Sequence, residues 1–477
     1  MRILFYSTSS NVYDGEAVTT TTLPSFTEQW DFLANEHKEH DFLIATQLPG
    51  TFLCDTEGNS ISKSDKDSRI LRHLIKSEKE KEIAEELASL EPDLALAASF
   101  YVVPYDWLAI KDAMVADYLR KMGIPTICHT VETATICFDK WRTHEFLEKI
   151  GVACAKAVYM HHELWINGGN RRDLVSNVYR DSVFHEVKKL KFPVIIKDTT
   201  GLSSFGADVV NNYDEAVGIL KSKKTTSDRI IEEMISGEQF GCEIYGRYDE
   251  ASGQGNYEIL PLFKFSVNQY GITSPKQSVK AGPVGISGEE EKHYKITELK
   301  EMLFKLAREM KLDGIAQVDL VFNGEKWFVI EINPRLSGMS TTYAASSGMP
   351  LSKMIFETLK VESGKRKTEN GKLGTESREE DFLRQESFSS GEFKPTLNIK
   401  FPILEGGKLL ELKALPYVAF VNQIENHAAR QIREQGYCEV ILIGENRDEL
   451  RKNIVDLRTR FADFIEEGFF DKAMEFF

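Results

Sequence analysis

The sequence of 477 residues is short of several features that would place it at once. No apolar run approaches the ~18 residues that a membrane-spanning helix needs. The opening MRILFYSTSSNVYDGE has no charged-then-apolar leader with a small-residue cleavage site, and reads as a first strand. Basic residues are outnumbered: 59 Lys and Arg against 74 Asp and Glu leave a net charge of −15. That balance argues against a general binder of nucleic acid or anionic membrane, and leaves room for a local basic pocket. The six cysteines (Cys54, Cys128, Cys137, Cys154, Cys242, Cys438) are scattered with no CxxC, which fits reduced thiols in a cytoplasmic protein. Cys137 is read as packing, not as a nucleophile. There is no GxxxxGK[ST], no GxGxxG after a strand, and no HExxH. His161 and His162 are adjacent, without the i, i+4 spacing of a zinc pair, and read as ordinary histidines.

What is present is a chain long enough for about three domains. Its 42% hydrophobic and 28% charged residues are those of a soluble globular protein. Over 1–128, "RILFYS", "HDFLIATQL", "PDLALAASF" and "IPTICHT" read as strands, and "SRILRHLIKSEKEKEIAEELASL" and "YDWLAIKDAMVADYLRKMG" as helices. Such alternation predicts a parallel sheet with helices on its faces. From 129 to about 360 the texture changes. "DKWRTHEFLEKIG" predicts an amphipathic helix closed at Gly151. "FPVIIKDTTGLSSFGADVVNN" predicts strand, small-residue loop, strand, with a lid subdomain over about 185–245. "NYEILPLFKFSV" is read as one strand. "GIAQVDLVFNGEKWFVIEINP" predicts a hairpin turning at Asn323-Gly324. Residues 361–393 are polar and charged, a linker or mobile excursion. Residues 394–477 form a C-terminal lobe.

The chemistry concentrates in "FVIEINPRLSG". Simple alternation sets Val329, Glu331 and Asn333 on one side of a strand, with Phe328, Ile330 and Ile332 on the other. The hairpin brings Asp319 to about the level of Glu331. Two carboxylates and an amide on one patch suit Mg²⁺ held together with phosphate oxygens. Upstream, Gly201, Ser203, Ser204 and Gly206 lie in a loop whose backbone can approach a phosphate closely. Lys197 ends the strand before it, where an ammonium is costly to bury without an anion. The apolar stretch "RIIEEMI" then breaks, leaving backbone able to read a nucleobase.

The order Lys140, Lys197, the loop at 199–206, the "IIEEMI" hinge, Asp319, Glu331 and Asn333 resembles the ATP-grasp superfamily over about 129–360. "EINPRLSGMS" looks most like its carbamoyl-phosphate synthetase, biotin carboxylase and L-amino-acid ligase branches. The resemblance implies an α/β (α+β grasp) chain: an N-terminal Rossmann-like domain, the ATP-grasp domain and a closing lobe. It implies that Lys140 and Lys197 contact nucleotide phosphates, that 201–206 covers them, and that Glu232, Glu233 and Ile235 form the adenine hinge. Glu238 falls in the window of the ribose acid, and Gln239 fits that window equally. Asp319, Glu331 and Asn333 match the metal ligands. Arg335 matches the arginine that stabilises the transferred phosphate, and with Lys197 it is assigned a catalytic role. The implied cofactors are ATP and two Mg²⁺ ions, with Mn²⁺ as a substitute. The implied reaction is ATP-dependent joining of a small carboxylate to an amine, with amino acids as the favoured substrates. It would run through an acyl phosphate and release ADP and phosphate. Two alternatives stand beside it: a bicarbonate-activating carboxylase or carbamoyl-phosphate-type enzyme, and a non-catalytic ATP-binding module. The chain has neither a biotin-carrier MKM nor a second grasp half. Partners are the small carboxylate and amine, with no nucleic acid and no membrane; a homodimer is compatible with the sequence.

Overall fold

The computed structural model describes the chain apart from residues 9–16, 26–27, 48–68, 100–107, 168–176, 201–206, 223–224, 251, 268–278, 360–392, 425–436, 463–466 and 477. The glycine- and serine-rich loop at 201–206 and nearly all of the 361–393 excursion therefore lie outside the described residues.

The first sheet is parallel. Its strands β1 (Arg2–Ser7), β3 (Asp41–Thr46), β4 (Ile70–Leu74), β5 (Leu94–Ala97) and β6 (Thr126–Ile127) lie in the order β4-β3-β1-β5-β6. One face buries Leu4, Tyr6, Leu43 and Ala45 against Ile83 and Leu87 of the helix Glu80–Ala88, and against Val115 and Leu119 of Leu108–Lys121. The other face, with Phe5 and Phe42, packs on Trp30 and Leu33 and on Met354 to Phe356. The helical reading of "SRILRHLIKSEKEKEIAEELASL" holds only for its second half. Ile70–Leu74 is a strand, parallel to β3 at the sheet edge, with Ile70 buried and the rest half-buried. Apolar residues at 70, 71, 74 and 75 suit a helix stripe as well as an edge strand, and the vacant edge of β3 decides between them.

A second sheet holds β7 (Ala157–Met160), β8 (Val194–Asp198), β9 (Asp208–Val210) and β10 (Arg229–Glu233) in the order β7-β10-β8-β9, all antiparallel.

The third sheet carries ten strands among the described residues. Its strands are β2 (Ala17–Thr20), β11 (Glu238–Asp249), β12 (Gln254–Ile259), β13 (Leu262–Phe265), β14 (Val279–Val284), β15 (Gly314–Phe322), β16 (Trp327–Asn333), β17 (Thr396–Phe401), β18 (Val418–Ile424) and β19 (Tyr437–Ile443). They run β16-β15-β11-β13-β14-β17-β19-β18-β2, with β12 on β11. "NYEILPLFKFSV" is thus two strands. They part at Leu260-Pro261, where proline removes a ladder donor: β12 follows the far half of β11 and β13 the near half. The C-terminal strands continue this sheet through the β14–β17 pairing. Its first face buries Val318, Leu320, Phe322, Trp327 and Ile332 under Leu299, Leu303 and Leu306 of the helix Ile296–Glu309. The opposite face meets Leu336, Met339 and Tyr343. No helix among the described residues is long and apolar enough to cross a membrane.

Candidate functional site

The β15–β16 hairpin brings its acids together directly. Asp319 stands opposite Glu331, and Gln317 opposite Asn333. The turn is set by Asn323, whose Oδ1 accepts from the backbone of Glu325 at 2.9 Å and Lys326 at 2.8 Å, and by Gly324 at φ +91°. Between Asp319 and the turn the register shifts: Leu320 pairs with Val329, leaving Ile330 as an extra residue on β16. This bulge corrects the alternation expected from sequence. Val329 is buried in the core with Leu320 and Trp327, away from Glu331. One extra residue reverses the parity of a strand. Val329 and Ile332 can therefore both be buried while Glu331 and Asn333 turn to the other face.

Burial, and then the neighbouring Glu331, push the Asp319 carboxyl well above the usual range; a 2.7 Å hydrogen bond from Gln317, and Lys280 and Arg335, offset this in part. Lys140 opens the helix Lys140–Ile150 and sets its Nζ 3.5 Å from Glu331. Asp139 caps this helix, and Gly151 closes it at φ +66°. Lys197 meets Glu232 at 2.6 Å across β8 and β10. Burial alone would lower the Lys197 ammonium, yet Glu232 and then Glu331 together hold it above its ordinary value. The field of Glu331 thus reaches both lysines that the sequence singles out.

At the hinge, the Glu233 N–H donates to Lys156 and the Met234 N–H to Pro193. Two side chains expected at the nucleotide turn away from the face of the acids. The Glu233 carboxylate accepts from the Lys191 backbone at 2.9 Å, on the other side of β10 from Glu232. Glu238 is paired with Lys264 on the face of Phe240, whereas Gln239 shares the face of Gly241 and Asp319. Of the two ribose candidates, strand parity turns only Gln239 toward the acids.

After Asn333 the chain makes a tight turn. Arg335 donates to Asn333 Oδ1 and to the Leu336 carbonyl, both at 3.1 Å. Ser337 and Ser340 then donate to Glu243 at 2.8 and 2.6 Å, and Tyr245 donates at 3.1 Å. Glu243 is wholly buried, and its carboxyl is pushed from 4.5 up to about 7. The folded chain therefore holds this proton where the unfolded chain has released it. Its contribution is fully present below about pH 4.5 and is lost as pH rises toward 7. At 1.36 kcal/mol per tenfold change in affinity the loss is about 3 kcal/mol. Glu243→Gln should flatten that decline, so urea midpoints at about pH 5 and about pH 8 should fall further for the natural chain than for the variant. Gln317, Lys280 and Glu243 are site neighbours that the sequence reading missed. Gln317 was legible as the residue two before Asp319; Lys280 and Glu243 carry no local signal.

A model described as the C-terminus of D-ala D-ala ligase matches residues 169–360. The D-alanine–D-alanine ligase of Buchnera aphidicola subsp. Schizaphis graminum is 22% identical over 257 residues, 53% of this chain and 78% of that one. The L-amino acid ligase of Bacillus licheniformis superposes with a TM-score of 0.58 at 12% identity, covering 96% of this chain and 97% of that one. The N5-carboxyaminoimidazole ribonucleotide synthetase of Thermotoga maritima gives 0.54 at 14%, covering 96% and 98%. The chain has the fold of ATP-grasp proteins. Within this fold the acid pair fits a divalent cation. Two carboxylates face each other directly, and burial together with the Glu331 charge raises the proton affinity of Asp319, a repulsion that a bound cation relieves.

Proposed function

We propose that this protein is an ATP-dependent ligase that joins a small carboxylate to an amine, with ADP and phosphate as products. The observation that carries the reading is the Asp319–Glu331 pair, set on one face with Asn333 and ringed by Lys140, Lys197 and Arg335. Asp319, Glu331 and Asn333 would hold Mg²⁺, two ions in our reading, with Mn²⁺ able to replace them. Bound there, the metal supplies charge neutralisation at the terminal phosphates. Lys140 and Lys197 hold the nucleotide phosphates, Glu232 orients Lys197, and Ile235 and Gln239 line the adenosine end. Gly201, Ser203, Ser204 and Gly206 lie in the segment that would close over the phosphates. Arg335, fixed by Asn333 and Leu336, faces the charge that develops as phosphate is transferred.

The likenesses to D-alanine and L-amino acid ligases favour amino acids as both substrates. A carboxylate oxygen attacks the γ-phosphorus and ADP leaves. The amine then attacks the acyl carbon, and phosphate departs carrying that oxygen. ADP and phosphate should therefore appear in equal amounts, with one amide per ATP. Oxygen-18 in the substrate carboxylate should be recovered in the phosphate, and hydroxylamine should trap a hydroxamate. Release of AMP and pyrophosphate, or unlabelled phosphate, would overturn this mechanism.

A further inference from the structure

The turn that carries Arg335 is strapped across the sheet. Asn333 ends β16 and stands opposite Gln317 on β15, and Gln317 stands opposite Glu243 on β11. Paired residues project to the same face, so Asn333, Gln317 and Glu243 form one row across three strands, about 10 Å from end to end. The chain leaves this row at Asn333 and returns to it at Glu243, where Ser337 Oγ donates at 2.8 Å and Ser340 Oγ at 2.6 Å. Arg335 lies between these two anchors. Its guanidinium donates to Asn333 Oδ1 at one end and to the Leu336 carbonyl within the turn, and its charge reaches Asp319. The middle of the row is joined to the acid pair as well, because Gln317 donates to Asp319 at 2.7 Å.

Both serine hydroxyls meet the same oxygen of Glu243, Oε1, while Tyr245 donates to Oε2 at 3.1 Å. Each hydroxyl also accepts from the backbone of the turn: Ser337 Oγ from the Met339 N–H at 2.9 Å, and Ser340 Oγ from the Ser337 N–H at 3.0 Å. The carboxylate is thereby linked through two side chains to the turn's own backbone. Glu243, Ser337 and Ser340 are all fully buried, so bulk water has no access to these bonds. A carboxyl buried among hydroxyls is a poor choice for stability, as its raised proton affinity shows. A leucine would fill similar space at less cost, and could not hold the turn. Leu336 and Met339 also pack the turn into the core, but apolar contact is non-directional and sets no angle.

We propose that Glu243 is a positioning residue for phosphoryl transfer: it clamps the far end of the turn through Ser337 and Ser340, and so fixes where the Arg335 guanidinium stands beside the acid pair. With the clamp, Arg335 sits on a segment held at both ends. Without it the far end is loose, and the guanidinium drifts from the charge that develops as phosphate is transferred. Such stabilisation depends on placement, and a misplacement of about 1 Å costs on the order of a hundredfold in rate. Lys140 and Lys197 lie on other elements, so the clamp acts on kcat and not on the KM for ATP. The assignment rests on the ligase reading above.

The test is a double-mutant cycle on the full chain. The assay is ADP formation with Mg·ATP and hydroxylamine as the trapping amine, using the best carboxylate from a panel of the twenty common L-amino acids and short carboxylic acids. Glu243→Leu with Tyr245→Phe removes the clamp from the sheet side without stranding the tyrosine hydroxyl, and both serines keep their backbone partners. This pair should lower kcat at least thirtyfold and leave the KM for ATP within twofold. Glu243→Gln, which keeps one oxygen for both serines, should recover most of that loss. In an Arg335→Met background the same pair should lower kcat less than threefold further, because the group it positions is gone. If thermal melts show that the pair does not fold, Ser340→Ala removes one strut from the other side and should lower kcat at least fivefold, again only where Arg335 is present. An equal loss with and without Arg335, or kcat within threefold of the natural chain in the folded pair variant, overturns the positioning role while the ligase reading stands. No ADP from the natural chain with any carboxylate of the panel overturns the ligase reading and the positioning role with it.

Discussion

Glu331→Gln should reduce turnover on the order of a thousandfold while leaving the fold at least as stable. The two effects have one origin. Glu331 faces Asp319 across the hairpin, and its charge is the chief electrostatic reason, after burial, that the Asp319 carboxyl is raised. Replacing it with a neutral isostere removes that repulsion, so the unfolding midpoint should hold or rise. The Lys140 contact at 3.5 Å is lost, a modest matter for a partly exposed pair. In the proposed metal site, catalysis would lose a ligand oxygen and its charge. A bound cation at transferring phosphates contributes several kcal/mol, and each 1.36 kcal/mol is tenfold in rate. Thermal melts and steady-state rates at saturating Mg²⁺ check both halves. Near-normal turnover in a well-folded variant would remove Glu331 from the metal site.

Lys197→Met should raise the KM for ATP by about tenfold to a hundredfold, or ~1.4–2.8 kcal/mol, and should also destabilise the protein. The ammonium is held above its ordinary value by Glu232 and Glu331, so it is charged at any working pH. Removing it strands the Glu232 carboxylate, whose side chain is 15% exposed against 18% for Lys197. Breaking a fully buried pair costs about 3–5 kcal/mol; residual exposure discounts this to roughly 2–3. The double variant Lys197→Met with Glu232→Gln should recover most of the stability and none of the ATP affinity. That separates the structural partner of Glu232 from the nucleotide ligand. If the double variant regained ATP affinity as well, Lys197 would be acting only through Glu232.

The sequence by itself determined the pieces whose signals are local. Asn323-Gly324 between two apolar runs is a hairpin-turn signal, and that turn carries Asp319 to within one residue of Glu331. Asp139 and Gly151 mark the ends of the helix that presents Lys140. The order of these pieces was enough to suggest the ATP-grasp superfamily. Tertiary structure decided what depends on distant partners. Whether Ile70–Leu74 became helix or strand turned on the vacant edge of β3. Which side of β16 took Val329 turned on one extra residue, since a bulge reverses the parity on which strand readings rely. Glu238 and Gln239 are neighbours in sequence, and only the pairing of β11 with β13 and β15 shows which of them faces the acids. Glu243 and Ser337, 94 positions apart, meet solely because the turn after β16 crosses back over β15 to β11. No periodicity within either segment encodes that contact, because cross-strand neighbours are chosen by the packing of the whole sheet.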